Sequence, residues 1–255
     1  MESDEKVNAM LHFREFEQDA YLVMVTRNGT VKRMELAALK NIRNVGIRAL
    51  RLDEGDSLIS VQLTDGTRNI LIATHRGMAI CFRETDVRSM GRDATGVRGI
   101  RLRAGDFVVG AVQTGSEGCL LMVTENGYGK RTPIQEYVRG DGEPQYRGGY
   151  GLKGYNVTEK TGPIAGIRMV EPVDDVLLIS DDGVIIRMAA ETVNIYSRTA
   201  QGVILMRLGE GVKVISLALT EREETDETMD EPGETELPDA PEQTEEAPDG
   251  PADET

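Results

Sequence analysis

The sequence has little of the chemistry that catalytic and metal-binding sites need. Its two cysteines, Cys81 and Cys119, lack C-x-x-C spacing and lie in or beside apolar runs, where a small buried hydrophobe fits. Its two histidines, His12 and His75, have no spacing partner for a metal site or a nucleophilic triad. A G-x-x-x-x-G-K-[ST] phosphate loop is absent. We therefore expect no catalytic residue, metal or cofactor in this chain.

Long hydrophobic runs are also missing. No apolar stretch approaches the roughly 20 residues that a membrane-spanning helix needs. The first six residues are acidic rather than basic and then apolar, unlike a secretory signal. We expect a protein of the reducing cytoplasm with no membrane partner.

Acidic residues are concentrated at the end of the chain. The whole sequence has 29 Lys and Arg against 44 Asp and Glu, a net charge of -15. Residues 221–255 alone contain 16 acidic residues and one basic residue, Arg222, so residues 1–220 are balanced at 28 against 28. Because DNA responds to local potential rather than to total charge, a neutral body can still present a basic face. Charge therefore leaves DNA binding open.

A fixed internal repeat is the main structural signal. Turn pairs recur at Asn28-Gly29, Arg76-Gly77, Asn126-Gly127 and Asp182-Gly183, with intervals of 48, 50 and 56 residues. Each turn lies between short, β-branched apolar runs, the pattern of a buried β-hairpin. Each unit also has an earlier strand, such as 57–63, and a later one at 46–52, 96–102, 151–157 or 202–208.

Four-stranded units of this length predict an all-β, propeller-like array. The repeats fall at about 7–55, 56–105, 106–158 and 162–210, within a domain of residues 1–220. A further strand at 212–219 has no unit of its own and is expected to complete a neighbouring blade. Helix is expected only as single turns, for instance near 35–39, 134–137 and 189–192. Residues 221–255 hold five of the nine prolines and few large apolar residues, which predicts a disordered acidic tail.

Two short motifs are better explained as loops. Residues 149–154 match the G-x-G-x-x-G dinucleotide pattern, but a loop precedes them and a strand-like segment follows, where a strand and a helix are required. The acidic group 53–56 falls between two strands, and Arg103-Ala104-Gly105-Asp106 occupies the same place in the next repeat. A solvated turn explains it better than a cation site.

Basic residues recur at equivalent places in the repeats. The loops before the later strands carry Arg43, Arg88, Arg92, Arg139, Arg147 and Arg198. The strands that follow the hairpin turns, third in each unit, carry or end beside Lys32, Arg33, Arg83, Lys130, Arg131 and Arg187. Lys153 lies in a later strand. Such a recurrence would form a basic rim along which bent duplex DNA touches successive blades through phosphates. An ordinary mixed-charge surface would give the same pattern.

Several segments resemble the C-terminal repeats of the gyrase A family. Residues 145–151, QYRGGYG, resemble that family's seven-residue box, usually QRRGGKG, with Tyr146 and Tyr150 in place of basic residues. Residues 21–33, 53–56, 90–100 and 124–133 are also similar to the family's repeats, and an acidic tail occupies a similar position. Gln145, Arg147, Gly148, Gly149 and Gly151 are the DNA-binding box that the resemblance implies.

The resemblance implies a β-pinwheel, a propeller-like array whose blades exchange strands and bend duplex DNA. The parent would be an A2B2 enzyme with an ATPase B subunit, using ATP and magnesium in other domains to introduce negative supercoils. The family has about six blades and this chain has four, so it is expected to begin about two blades late. Alternatives are a topoisomerase IV counterpart, a propeller that binds proteins, and a box that is only a glycine-rich connection.

Overall fold

Short strands, with a single 3₁₀ turn after each of four hairpins, make up the part of the chain that the computed structural model describes, residues 10–12, 19–41 and 46–222. The strands are β1 Tyr21–Thr26, β2 Thr30–Glu35, β3 Leu58–Thr64, β4 Asn69–Thr74, β5 Met78–Arg83, β6 Val97–Arg98, β7 Val108–Thr114, β8 Cys119–Thr124, β9 Tyr128–Pro133, β10 Leu152–Lys153, β11 Ile164–Val170, β12 Asp174–Ser180, β13 Ile185–Ala189, β14 Val203–Ile204 and β15 Val214–Glu221. The 3₁₀ helices are Leu36–Leu39, Glu84–Asp86, Ile134–Tyr137 and Ala190–Thr192. The all-β prediction is confirmed, and the turn at Glu84–Asp86 was not predicted.

Each predicted turn closes an antiparallel hairpin. The pairs are β1 with β2, β4 with β5, β8 with β9 and β12 with β13. The turn glycines Gly29, Gly77, Gly127 and Gly183 have φ between 78° and 88°, a conformation that side chains with a Cβ rarely adopt. The glycine of each turn pair is therefore required by the positive φ of the hairpin backbone.

Consecutive repeats share their strands. The four sheets have the orders β3-β1-β2-β6, β10-β5-β4-β7, β11-β8-β9-β14 and β13-β12-β15, and we call them blades 1 to 4. In blades 1 to 3, a hairpin from one repeat receives an inner strand and a short outer strand from the repeat that follows. The extra strand β15 pairs with β12, so it completes blade 4 as expected.

The outer strands are much shorter than the sequence suggests. Ladder pairing covers only the two residues of β6, β10 or β14, because the chain then turns over the glycine of the neighbouring hairpin. The carbonyl of Gly29 accepts hydrogen bonds from the N–H groups of Gly99 and Ile100, and Gly77 and Gly127 accept equivalent pairs. The prediction of strands over 96–102, 151–157 and 202–208 was therefore wrong in length.

The ends of the array differ from its middle. Residues 46–52, predicted as a strand, have no strand assignment, and the described residues include no hairpin of an earlier repeat with which they could pair. Blade 4 has three strands, so within the described residues the outer edge of β13 receives no partner. Val184 and Ile185, at the start of that edge, are exposed.

The core lies between the blades, which explains the unbroken apolar runs. On β4, Ile70 and Ile72 pack toward blade 1, whereas Leu71 and Ala73 pack toward blade 3. The central strand β8 divides its side chains in the same way between blades 2 and 4. Because successive strand residues point to opposite faces, a strand buried on both faces must be apolar throughout. Each such large side chain contributes roughly 1.5–3 kcal/mol through burial.

Candidate nucleic-acid interface

Residues 145–151, the box loop, are anchored to two blades by backbone hydrogen bonds. On one side, Gln145 N donates to Cys81 O over 2.7 Å. On the other, Gly148 N donates to Gly99 O over 2.6 Å, and Arg101 N donates to Gly149 O over 2.7 Å. The loop therefore lies against the segment 98–101, which leads out of β6. It is a structured bridge between blades 1 and 2.

Two glycines of the box loop are required by its backbone. Gly148 and Gly151 have φ of 82° and 73°. A Cβ on Gly151 would lie 2.3 Å from Ala79 O, on the strand to which β10 pairs. At Gly149 a Cβ would meet nothing closer than 3.8 Å, so this glycine leaves the loop surface open.

Arg147 fastens the box loop to blade 1 and to the 3₁₀ helix that follows β5 of blade 2. Its Nε donates to Asp86 O over 2.9 Å and its Nη1 donates to Arg98 O over 3.1 Å. Arg198, at the equivalent place in the next repeat, donates from Nη1 to Lys153 O over 2.5 Å. Each arginine thus holds the second residue of the outer strand of the preceding repeat. Two predicted rim residues are therefore links between blades.

Basic side chains surround the box loop on its exposed side. Arg98, Arg101 and Arg103 are exposed and follow one another along the segment that the loop contacts. The guanidinium carbons of Arg101 and Arg103 lie 5.3 and 5.9 Å from the ring centroid of Tyr150. Sequence reasoning missed these three arginines, although the repeated G-V-R-G-I-R-L pattern contains Arg98 and Arg101 and is followed directly by Arg103. We call Arg98, Arg101, Arg103 and Arg147 the arginine cluster.

Four predicted rim residues instead lie inside the blades. Lys32 and Lys130 are fully buried, and their Nζ atoms donate to backbone carbonyls at 2.6–2.9 Å. Arg131 is buried and donates to the carbonyls of Val193 and Glu191, and Arg33 stacks on Tyr21 with only 12% of its side chain exposed. These side chains fasten loops, which corrects their placement on an exposed rim.

Burial changes the protonation of the two lysines. Loss of hydration lowers the pKa of Lys130 to about 8, against a weaker opposing effect of Glu136. Burial also lowers the pKa of Lys32. Lys32 binds Ala49 O, and the other carbonyls that hold these ammonium groups belong to the loops before the outer strands, at 92–94 and 197–198. Each lysine therefore helps to seat a strand donated by the following repeat.

Some of the remaining rim residues form ion pairs, and others are exposed to solvent. Ion pairs join Arg83 to Glu143, Arg139 to Asp141 and Arg187 to Asp175. Arg88, Arg92 and Lys153 are exposed, and Lys153 Nζ donates to Asn156 Oδ1. Arg43 lies outside the described residues. The arginine cluster thus adds three exposed arginines to the exposed rim residues that recurrence alone suggested.

A chain of side chains joins all four blades at their hairpin turns. The Arg27 guanidinium lies 3.5 Å from the Phe107 ring centroid, and Phe107 stacks on His75. His75 Nε2 is 3.0 Å from Glu125 Oε1, and Lys213 Nζ donates to Glu125 Oε2 over 2.7 Å. Burial alone would raise the pKa of Glu125, but the bonds from Lys213 and His75 outweigh it and lower that pKa. The inter-blade contacts are therefore polar as well as apolar.

The acidic segment follows an anchored arginine. Arg222 bonds Asp175 at 3.2 Å and Glu191 at 2.8 Å, both near the blade 4 hairpin. The predicted disorder of 221–255 falls outside the described residues from 223 onward. Residues 223–255 contain acidic side chains and no Lys or Arg. The body of the domain therefore extends two residues beyond the predicted boundary at 220.

The described ranges contain no metal-ligand group of three or more His, Cys, Asp or Glu. They also contain no helix long and apolar enough to cross a membrane.

Together, these features define a strand-exchanging, propeller-like repeat domain with an arginine-rich loop at a blade junction. The chain belongs to the family described as "DNA gyrase C-terminal domain, beta-propeller", whose model matches residues 20–65, 68–114, 120–171 and 174–221. Each matched segment contains one hairpin and the inner strand that completes its blade. The resemblance to gyrase A repeats is confirmed, and the domain itself is not catalytic.

Known relatives agree with this assignment. The chain is 37% identical over 230 residues to the gyrase A protein of Salmonella typhimurium, a match covering 90% of this chain and 26% of that protein. It therefore spans about a quarter of the relative's length. A crystal structure of a topoisomerase IV C-terminal domain matches with a TM-score of 0.79 and 26% identity, covering 87% of this chain and 68% of that one. A gyrase A C-terminal domain structure matches with a TM-score of 0.71 and 27% identity, covering 80% and 67%.

Proposed function

We propose that this chain binds duplex DNA without sequence preference and bends it across the blade junctions. The observation that carries the proposal is the arginine cluster: three exposed arginines lie on the segment that the box loop contacts, and Arg147 of the loop is bonded to the same segment. Guanidinium groups suit phosphate because their planar donors match its oxygens. The described residues hold no α-helix that could read bases in the major groove, which favours backbone contacts over base readout.

In the parent enzyme, the bend would give strand passage its handedness. We infer that the parent is a bacterial gyrase of A2B2 composition, with ATP and magnesium acting in other domains and in the ATPase B subunit. The relatives named gyrase A, at 37–41% identity, support this reading. The parent would act in the cytoplasm, where this domain's partners would be duplex DNA and the remainder of the gyrase A chain.

A topoisomerase IV parent is the second candidate. It is favoured by the TM-score of 0.79 to a topoisomerase IV domain, against 0.71 for a gyrase domain. The sequence relatives favour gyrase, because those named gyrase A are 37–41% identical over 88–95% of this chain.

Closing a nicked plasmid in the presence of the protein would test DNA wrapping. Ligation traps any handed bend as a change in linking number, and deproteinised topoisomers are then separated on a gel. We expect a shift of one sign that grows with protein concentration and is reduced in the Arg98→Ala, Arg101→Ala, Arg103→Ala variant. A distribution identical to the protein-free control at saturating protein would refute wrapping.

A further inference from the structure

Two tyrosines of the box loop stand out because they are exposed, whereas the other described tyrosines are buried or partly buried. Tyr146 is 73% exposed and Tyr150 is 46% exposed, whereas Tyr137 and Tyr155 are fully buried. Leaving an aromatic ring in water forgoes the stabilisation that burial would give. An exposed pair within seven residues of chain is therefore unexplained by packing.

The fold does not need an aromatic residue at either place. Glycines 96, 151 and 202 directly precede the three outer strands, and this fixes the equivalence of the loops. At the position of Tyr150, the other two loops have Thr95 and Gln201, and at the position of Tyr146 they have Gly91 and Ser197. The tyrosines are thus peculiar to the box loop, at the blade junction where the arginine cluster lies.

Each ring has a cation on one side. The Arg139 guanidinium carbon lies 4.9 Å from the Tyr146 ring centroid, and those of Arg101 and Arg103 lie 5.3 and 5.9 Å from that of Tyr150. The large exposed fractions leave ring surface open to solvent. The loop that carries the rings is held by backbone bonds at Gln145, Gly148 and Gly149, so docking a ligand would cost little ordering entropy.

We propose that Tyr146 and Tyr150 form a stacking platform for the unstacked bases of single-stranded DNA, with the arginine cluster holding the adjoining phosphates. Every base has a π-face, so stacking on tyrosine tolerates any sequence, and arginines beside the rings follow the charged backbone. In duplex DNA the base faces are covered, except where sharp bending opens a step. This inference rests on the proposed function, because it assigns the phosphate contacts to the same arginine cluster.

The test compares ligands that differ only in their bases. The probes are a labelled oligothymidine of about 12 nucleotides and an abasic deoxyribose-phosphate chain of equal length. Tyr146→Leu, Tyr150→Leu removes both rings, whereas Tyr146→Phe, Tyr150→Phe keeps them. Tyr128→Leu is the matched control, because Tyr128 lies in blade 3 with Lys160 5.7 Å from its ring centroid. Circular dichroism and urea unfolding verify that each variant is folded.

We expect the wild type to bind oligothymidine about tenfold more tightly than the abasic chain, and the double Leu variant to lose that advantage. The double Phe variant and Tyr128→Leu should retain it. Equal affinity of the wild type for both probes, or equal loss in the Leu and Phe variants, would overturn the platform. Duplex binding, measured in parallel at low salt, decides the proposed function separately: its absence refutes duplex bending and leaves the oligothymidine comparison valid.

Discussion

Burial determines what each basic side chain of the blades does. Lys32, Lys130 and Arg131 are enclosed and bind backbone carbonyls, so their charge organises loops. Arg98, Arg101 and Arg103 are exposed and remain available to an anion. Arg147 combines both situations. It is half-buried, and its Nε and Nη1 bind two carbonyls, whereas Nη2 binds neither of them.

A pH effect follows from the burial of Lys130. Its pKa is about 8 in the folded protein and near 10.5 when unfolded, so between these values the unfolded state binds more protons. The free energy of unfolding should therefore rise with pH across this window, relative to a Lys130→Met variant that cannot titrate there. Urea unfolding of both proteins at about pH 7 and about pH 10 measures the difference. A difference independent of pH would mean that Lys130 is not held as described.

The links made by Arg147 predict separate effects on bending and association. Arg147→Ala should reduce the linking-number shift strongly, because the box loop loses its side-chain hydrogen bonds to β6 of blade 1 and to the 3₁₀ helix that follows β5. The salt slope of duplex binding should fall in magnitude by no more than about 0.9, the value of one phosphate contact. Arg147→Lys, the matched control, keeps the charge without the planar fork, so it should preserve affinity better than bending. If Arg147→Ala changes neither quantity, the box loop is only a glycine-rich connection.

At the scale of elements, exchange of strands makes the glycines before the outer strands critical. Gly96, Gly151 and Gly202 all have positive φ, and a Cβ on each would lie within 2.8 Å of a backbone carbonyl oxygen of the receiving strand. The outer strand can approach its partner only because these Cβ atoms are missing. In blades 1 to 3, the exchange therefore depends on one glycine in each blade.

Gly151→Ala is expected to lower the free energy of unfolding by about 1–3 kcal/mol or more, from backbone strain alone. The added Cβ would also press against Ala79 O and separate β10 from β5. Gly140→Ala is the control, because a Cβ there meets nothing within 4 Å and φ is not in the positive range. Urea unfolding compares the two variants, and equal stability would contradict the proposed seating of β10.

Sequence reasoning predicted the hairpins well because their signals are local. An Asn-Gly or Asp-Gly turn between apolar runs determines both the turn and its flanking strands. The outer strands were overestimated, because where they leave the ladder depends on the hairpin glycine of another repeat. The burial of Lys32 and Lys130 could have been predicted, because the equivalent positions in the other two repeats hold the apolar residues Ile80 and Ile186. The recurrence of basic residues suggested an exposed rim instead. The arginine cluster depends on contacts between repeats, which no local pattern reports.

At the scale of the whole molecule, the charge of the chain is divided between a balanced body and an acidic end. Residues 223–255 carry acidic side chains without a compensating Lys or Arg. A covalently attached polyanion has an effective concentration of about millimolar order, so we propose that it competes with DNA for basic surface without a specific site. The alternative is a segment that only improves solubility.

Removal of residues 223–255 distinguishes these roles. The cut follows Arg222, because its ion pairs with Asp175 and Glu191 belong to the body. We expect tighter duplex binding at low salt, with a gain that shrinks as salt rises because both polyanions are screened. Fluorescence anisotropy titrations of the full and shortened chains measure this gain. Equal affinities at low ionic strength would favour the solubilising role.

The most direct test of the central claim is the salt dependence of duplex binding by the full chain. If the arginine cluster binds phosphates, the logarithm of the association constant should fall linearly with the logarithm of salt concentration, with a slope of about -0.9 per contact. Replacing Arg98, Arg101 and Arg103 with Ala should reduce the magnitude of that slope by up to about 2.7. A slope unchanged by these substitutions, or undetectable binding at low salt, would contradict a DNA-bending role for this surface.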